Sequence, residues 1–468
     1  MRILLHGFGS FPVVFWHLIR QAAAGKNAPE WAIILTSDHY EARFRELLGA
    51  DRVTVLTQAG GRPNPGEENW VYPGVFFRDL AAEKRNYLSI PADVQHERGM
   101  EIYRQTRRFV EAFQPTHALV SQVEGFDGKA FIAAARDFGA KVVVPTATRN
   151  LGGELFSGDD FETLPAYAFR GSDRCMGEAE AFVKDFRTSP KSARNVPPAH
   201  GELLDSLIPP LSTRLPQALR RWFMTPNGFQ WDFVRASVLN NLPGVRDRVW
   251  AMRVKKNERL CHITSPKKLP AKFIFYPLQY TPESSINTPA PYFLDQMRAI
   301  DAIRFAMPSD CMLVVKEHPS CILVRPSGFL RQLLKTAGVV VAHFRMPANE
   351  IAKRAGLTIS VTGTATFEAM LQGKQAICLG PNFFSSFLGG ICPLDELPAR
   401  IAKLFGQEYP FGDAVRAVAT ILNASYPLHF TCPGTPGEPV LRRENIAALY
   451  EAFLDHCRRD EAEDGRTP

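Results

Sequence analysis

Three short runs of β-forming residues between Phe273 and Gly380, each closed by polar or turn residues, constrain this chain more than any other feature. They are FIFYPLQYTPE (Phe273–Glu283), MLVVKEHPS (Met312–Ser320) and LTISVTGTATFEAMLQGKQAICLG (Leu357–Gly380). Such runs, separated by amphipathic helical stretches, imply βαβ units and a mostly parallel sheet. In an open sheet of that type, ligands bind beyond the carboxyl ends of the strands. Gln279, Glu283, Lys316, His318, Thr362, Gly363, Thr364 and Glu368 all fall at those ends. The set suits a phosphorylated ligand, a nucleotide-sugar before others.

The first 150 residues carry the same rhythm. RILLH (Arg2–His6), WAIILT (Trp31–Thr36), RVTVLT (Arg52–Thr57), HALVSQ (His117–Gln122) and KVVVP (Lys141–Pro145) read as strands, and stretches such as EARFRELLG and DGKAFIAAARDFG as helices stopped by glycine. From about Asn150 to Lys268 the rhythm fades into Pro-, Arg- and aromatic-rich sequence, then restarts at Phe273. The expected organisation is therefore an N-terminal Rossmann-like domain over 1–200, a basic helical insertion or linker over 201–268, a second Rossmann-like domain over 269–440, and a closing helix with a disordered tail over 441–468. The expected fold class is α/β, with two Rossmann-like domains facing across a cleft.

Charge and cysteine usage narrow the partners. The net charge of +7 is concentrated between Leu211 and Leu260, where ten basic residues stand against three acids (10 − 3 = +7). That excess suits a phosphate, an acidic glycan or an anionic lipid surface, and equally a solvated helical face. It lacks a nucleic-acid-binding motif, so a nucleic-acid partner is not expected. The eight cysteines are scattered with no CxxC pair, which argues against disulfide staples and a zinc site and for a reducing cytosol. The N-terminal MRILLHGFGSF reads as a strand and glycine turn, not a signal peptide, and no window approaches a membrane-spanning length of apolar residues.

Each motif has a chemical and an ordinary structural reading. In VTGTATFEA (Val361–Ala369), Thr362, Gly363 and Thr364 can cradle a phosphate at a helix start while Glu368 accepts from ribose hydroxyls; the ordinary alternative is a simple helix cap. In KEHP, Lys316 and His318 share a strand face at a spacing of two and can balance charge on a leaving phosphate, with Pro319 fixing the loop; the alternative is a strand-end histidine bonded to backbone. Gln279 and Glu283 can bond sugar or nucleotide hydroxyls, or merely form a polar loop. Inverting sugar transfer needs a carboxylate to deprotonate the acceptor. Glu124, in VSQVEGFDGKAF, is the first candidate, with Asp127 read as a cap for the next helix and Asp159 and Asp160 as rival bases. Arg149 and the turn HGFGSF, with Gly7, Gly9 and Ser10, border the acceptor side. That turn lacks the full GxGxxG pattern because position 12 is proline.

The blocks FYPLQYTPES, PYFLDQMRAIDAIRFAMPSDCMLVVKEHPS and ISVTGTATFEAMLQGKQAICLGPNFF resemble, in order and spacing, the capsule polysaccharide biosynthesis family, which includes Kdo transferases. VVPTATRNLGGELFSGDDFETLP is similar to the same family's arginine-glycine-aspartate stretch. The resemblance implies a GT-B fold and metal-independent transfer of an activated sugar onto a surface glycan. His318 and Pro319 resemble the His-Pro pair of CMP-sugar-using transferases, in which the histidine contacts the donor phosphate. A CMP-linked acidic sugar such as Kdo is thus the expected donor, as co-substrate and with no further cofactor. The acceptor is a glycan, free or lipid-linked, and the location cytoplasmic or peripheral at the inner face of the membrane. Two rivals stand beside this: a nucleotide-sugar epimerase or hydrolase of the same fold, and a non-catalytic glycan-binding protein of capsule assembly or export.

Overall fold

In the computed structural model the described residues are 1–23, 28–56, 66–82, 92–121, 123, 125–190, 252, 255–281, 284–318, 321, 325, 327–430 and 438–464. The insertion expected over 201–268 lies largely outside them, as do Glu124, Glu283 and Pro319.

The β-branched runs fold as two separate sheets. The first contains β1 (Arg2–Gly7), β2 (Glu30–Leu35), β3 (Val53–Val55), β4 (His117–Val120), β5 (Lys141–Ala147) and β6 (Glu154–Ser157). The second contains β7 (Phe273–Pro277), β8 (Met312–Lys316), β9 (Val339–Ala342), β10 (Leu357–Ser360) and β11 (Ala376–Cys378). A late strand, β12 (Ser425–Tyr426), pairs antiparallel with β6 and so belongs to the first sheet. The strand orders are β12-β6-β5-β4-β1-β2-β3 and β11-β10-β7-β8-β9. Within each, the first five strands in sequence lie in the order 3-2-1-4-5 and pair in parallel. The direction of winding therefore reverses between β1 and β4 in one sheet and between β7 and β10 in the other. Crevices at such switch points are where doubly wound sheets bind ligands.

Burial explains the apolar runs. β4 and β10 are buried at every position, and β1 and β8 at all but one, as expected for strands covered by helices on both faces. Ile3, Leu5, Ile33 and Phe156 pack with Phe15, Leu449 and Phe453 on one side of the first sheet. Leu4, Ile34 and Val120 pack with Tyr103, Phe126 and Phe131 on the other.

The C-terminal segment departs from the expected boundaries. β12 and the helix Arg443–Asp464 return to the first sheet, not the second. The expected tail at Glu461–Pro468 is helical through Asp464. Acidic side chains at and just before it find basic partners: Lys141 bonds Asp460 at 3.0 Å and Arg170 bonds Glu463 at 2.6 Å. Among the described residues no helix is long and apolar enough to cross a membrane, and no group of three His, Cys, Asp or Glu side chains could hold a metal ion.

Candidate functional site

The loops after β7, β8 and β10 converge because β7 lies between the other two strands. Gln279, past the end of β7, is buried and tied to the protein through its backbone and its amide nitrogen. Its backbone N–H donates to Gln296 Oε1 (2.7 Å), its carbonyl accepts from Gln296 Nε2 (3.1 Å), and its side chain donates to Ser360 Oγ at the end of β10 (2.8 Å). Ser360 Oγ also accepts from the Gly363 N–H at 3.1 Å. A Cβ on residue 363 would stand 2.7 Å from Ser360 Oγ and 2.9 Å from Gln279 Nε2, so a larger residue there would have to displace the Gln279–Ser360 contact. Gln279 is thus a strut between strand ends.

Arg325, which the sequence reading did not single out, joins the β7 and β8 loops. It donates to Thr281 Oγ1 (3.0 Å), the Gln279 carbonyl (2.9 Å) and both carboxylate oxygens of Glu317 (2.7 and 3.0 Å). Glu317 also accepts from the His318 N–H at 2.8 Å. The KEH turn is therefore fixed by a buried, bidentate ion pair, a geometry that arginine makes and lysine does not.

Lys316 and His318 flank that pair. The Lys316 ammonium is buried, and its Nζ donates to the Glu317 carbonyl at 3.3 Å; no carboxylate among the described residues lies within ion-pair distance. Burial pushes its pKa down to about 8, against the opposing pull of Glu317. Burial, then the Lys316 and Arg325 charges, lower His318 to about 4. The imidazole, 5.6 Å from the Tyr280 ring, is therefore neutral near pH 7 in the free protein. The charge that can meet an anion is Lys316.

The Val361–Ala369 turn is partly used by the fold. Thr362 Oγ1 donates to the Ser285 carbonyl at 2.7 Å, and Thr366 Oγ1 donates to the Gly363 carbonyl at 3.1 Å. Thr364 is the N-cap residue of the helix Ala365–Leu371 but makes no side-chain cap bond. Glu368, buried, accepts from Asn150 Nδ2 of the first lobe at 3.4 Å. A second contact runs from Thr288 Oγ1, after β7, to the Val123 carbonyl, after β4, at 2.9 Å. Loops beyond the carboxyl ends of both sheets therefore touch, and the two switch points face one another: the GT-B arrangement.

On the first lobe, Gly7 ends β1, its carbonyl accepting from the Thr36 N–H at 3.2 Å. Gly9 takes φ +58°, a left-handed turn that frees the chain to start the helix Phe11–Ala22, with Ser10 at its N-cap. Asp159 and Asp160 both make contacts within the first lobe. Asp159 Oδ1 accepts from Ser157 Oγ and the Phe161 and Thr163 N–H groups, each at 3.0 Å, which shapes the loop. Asp160 is buried against the Lys129 ammonium. Arg149, at φ +58°, pairs with Glu162 at 2.5 Å.

The first lobe also holds a pair that the sequence did not reveal. His6 Nε2 lies 2.9 Å from Asp127 Oδ2, and Ser121 Oγ, which accepts from the Phe8 N–H at 3.2 Å, lies 3.4 Å from His6 Nδ1. The chain of contacts assigns the proton to Nε2, with Asp127 accepting. His6 is wholly buried, whereas the Asp127 carboxylate keeps a 13% exposed edge. This pair occupies the β1/β4 switch point, opposite Gln279 and Gly363 at the β7/β10 switch point.

Residues 243–392 match the family model described as capsule polysaccharide biosynthesis protein. No curated protein sequence matches the chain. Among solved structures, the β-Kdo 2,7 transferase KpsC from Thermosulfurimonas dismutans is similar at 14% identity, over 67% of this chain and 80% of that one, with a TM-score of 0.31. A UDP-GlcNAc 2-epimerase from Methanocaldococcus jannaschii is similar at 13% identity, over 90% and 99%, with a TM-score of 0.25. Anabaena HepE, in complex with UDP and glucose, is similar at 11% identity, over 98% and 100%, with a TM-score of 0.26. Likenesses this distant assign nothing to the site of the present chain.

Proposed function

We propose that this chain, whose residues 243–392 match the capsule polysaccharide biosynthesis family model, is a glycosyltransferase that moves a sugar from a nucleotide-sugar onto a bacterial capsular or surface polysaccharide. The donor we favour is a CMP-linked acidic sugar such as Kdo. The observation that carries this reading is Lys316: a desolvated ammonium without a carboxylate partner among the described residues, held at the carboxyl edge of β8. Burying a charge unpaired is costly, and a bound phosphate would supply the missing counter-charge.

In this reading Lys316 meets the donor phosphate and His318 donates a hydrogen bond to the same group. Thr364 and Glu368 border the nucleotide. Thr362, Gly363 and Gln279 hold the shape of the pocket. These cationic and hydrogen-bonding side chains stabilise the leaving nucleotide, so transfer is metal-independent and survives EDTA. Asp127, positioned by His6, is the base that takes the acceptor proton; Gly9, Ser10 and Arg149 border the acceptor. The protein works in the cytoplasm, at the inner face of the membrane when the acceptor is lipid-linked.

The test is nucleotide release from CMP-Kdo and from UDP- and GDP-sugars, with and without capsular oligosaccharide. Acceptor-dependent release of CMP supports the proposal. Isomerised sugar or free sugar formed without acceptor makes the protein an epimerase or hydrolase. Capsule retained in cells carrying Lys316→Met and Asp127→Asn makes it non-catalytic.

A further inference from the structure

The first lobe carries an open cleft between the helices Phe11–Ala22 and Glu41–Leu48. It encloses about 330 Å³, and its walls include Pro12, Trp16, His17, Tyr40, Arg43 and Phe44. Phe44 is buried beneath it, whereas Trp16, His17 and Tyr40 are half-buried and Arg43 is exposed, so a ligand can reach them from solvent. The two helices follow β1 and β2, which puts their first turns at the carboxyl edge of the first sheet. Pro12 packs over Gly7, where a Cβ would lie 3.1 Å from Pro12 Cγ, and Gly7 adjoins His6 in the chain. Trp16 stands a rise of about 8 Å along its helix from Phe11. The cleft is thus continuous with the Gly7–Ser10 turn.

Its walls suit a sugar. Tryptophan and tyrosine each present a flat apolar body with a polar tip, and they lose little rotamer freedom on binding. A pyranose ring, with C–H groups on its face and hydroxyls at its rim, complements such a surface. Both rings are held in place: the Arg20 guanidinium lies 4.4 Å from the Trp16 ring, and His39 meets Tyr40 edge-on at 4.6 Å. The local charge is cationic. Arg43 lines the cleft, and burial followed by the Arg20 charge lowers the His17 pKa. Glu41, beside Tyr40, is bonded by Arg45 at 2.8 Å. A guanidinium at that wall can take a carboxylate through two parallel hydrogen bonds.

We propose that this cleft binds acidic sugar units of the acceptor behind the one being extended, with a ring against Trp16 and Tyr40 and a carboxylate on Arg43. Its role as an acceptor subsite rests on the transfer reading proposed above. With the reactive hydroxyl at Asp127, an acceptor that crosses the Gly7–Ser10 turn brings its next sugars into the cleft. The protein then prefers long acidic acceptors to short or neutral ones.

The experiment measures Kd by calorimetry on the full chain for a polyuronic acid hexasaccharide, the corresponding disaccharide and a neutral glucan hexasaccharide. The wild type is expected to bind the acidic hexasaccharide about tenfold or more tighter than either of the others. Trp16→Leu, which keeps an apolar side chain over the core, and Arg43→Ser, at an exposed position, are each expected to weaken that binding by about tenfold. Neither is expected to change binding of CMP, which belongs to the other lobe. A wild type that binds none of the three glycans, or variants that keep its Kd for the acidic hexasaccharide, overturns this inference alone. Release of CMP is scored separately. Glycan binding that both variants lose, with no acceptor-dependent release from any nucleotide-sugar, keeps the cleft as a glycan site and overturns the transfer reading.

Discussion

Arg325 grips Glu317 through two hydrogen bonds, 2.7 and 3.0 Å long, with the two side chains only 8% and 1% exposed. The same guanidinium bonds the Gln279 carbonyl and Thr281, so one cation fixes the ends of two adjacent strands. Removing one partner of a buried pair leaves an uncompensated charge. Arg325→Ala is therefore expected to lower unfolding stability by about 3–5 kcal/mol in urea denaturation. The double variant Glu317→Leu/Arg325→Met is expected to recover most of that loss. Because the loop that aims His318 is then untethered, it should still bind CMP poorly. Normal CMP affinity in the double variant would show that the ion pair does not shape the donor site.

The Lys316 ammonium gives the donor site a pH signature. Its pKa in the empty site is pushed down to about 8, and a bound phosphate, which favours the charged form, raises it. Between those two values the complex holds more protons than the empty site, so affinity falls as pH rises through that window. The Kd for CMP is expected to change little below pH 8 on this account and to weaken by up to about tenfold per pH unit above it. Calorimetry in buffers of different ionisation heat should show proton uptake on binding near pH 8. Lys316→Met should abolish both effects and, by deleting a buried charge, raise the Tm of the empty protein. A pH-independent Kd from 7 to 10 would remove Lys316 from the phosphate.

The strand runs, the parallel sheets and the clustering of the KEHP and VTGTATFEA turns were legible because they depend on local pattern: β-branched runs, a terminating proline, small residues at a turn. What those polar residues do was less legible. Thr362 and Gln279 sit where the spacing puts them, but their hydrogen bonds are taken by Ser285, Gln296 and Ser360, partners chosen by the packing of other segments. Arg325 stands eight residues beyond Glu317 with nothing in the intervening sequence to mark the pairing. His6 and Asp127 are 121 residues apart and meet only because β1 and β4 are neighbours. Asp160 meets Lys129, on the helix Phe126–Asp137, through packing that its own segment does not mark.

Glu154 shows the same dependence on tertiary context. It lies on β6, buried, with its carboxyl accepting from the Phe430 N–H at 3.2 Å, and burial raises its pKa to about 8. A folded-state pKa above the unfolded one means that the contribution is complete below pH 4.5 and lost as pH rises to about 8. Across that window the slope is about 1.4 kcal/mol per pH unit. Glu154→Gln, which keeps the acceptor and removes the ionisation, is expected to match the wild-type Tm at pH 4.5 and exceed it increasingly toward pH 8. Equal Tm values at both pH extremes would place the carboxyl in contact with solvent.

Asp127 carries the most direct chemical prediction. Its carboxylate is held by His6 and keeps an exposed edge, while Asp159 and Asp160 are bound up in a loop and an ion pair. A general base contributes roughly 10²–10⁴-fold in rate. Asp127→Asn, which preserves size, is therefore expected to lower kcat by at least about 10²-fold while leaving the Kd for CMP unchanged, because the donor site belongs to the other lobe. Asp127→Glu should restore part of kcat. His6→Gln should lower kcat less than Asp127→Asn and shift the acidic limb of the kcat–pH profile, which a purely structural role would leave in place. A single base also predicts inversion at the anomeric carbon, read by NMR from the configurations of donor and product. Retention would make a carboxylate the nucleophile, and Asp127 would then have to form a covalent bond to the sugar instead of accepting a proton.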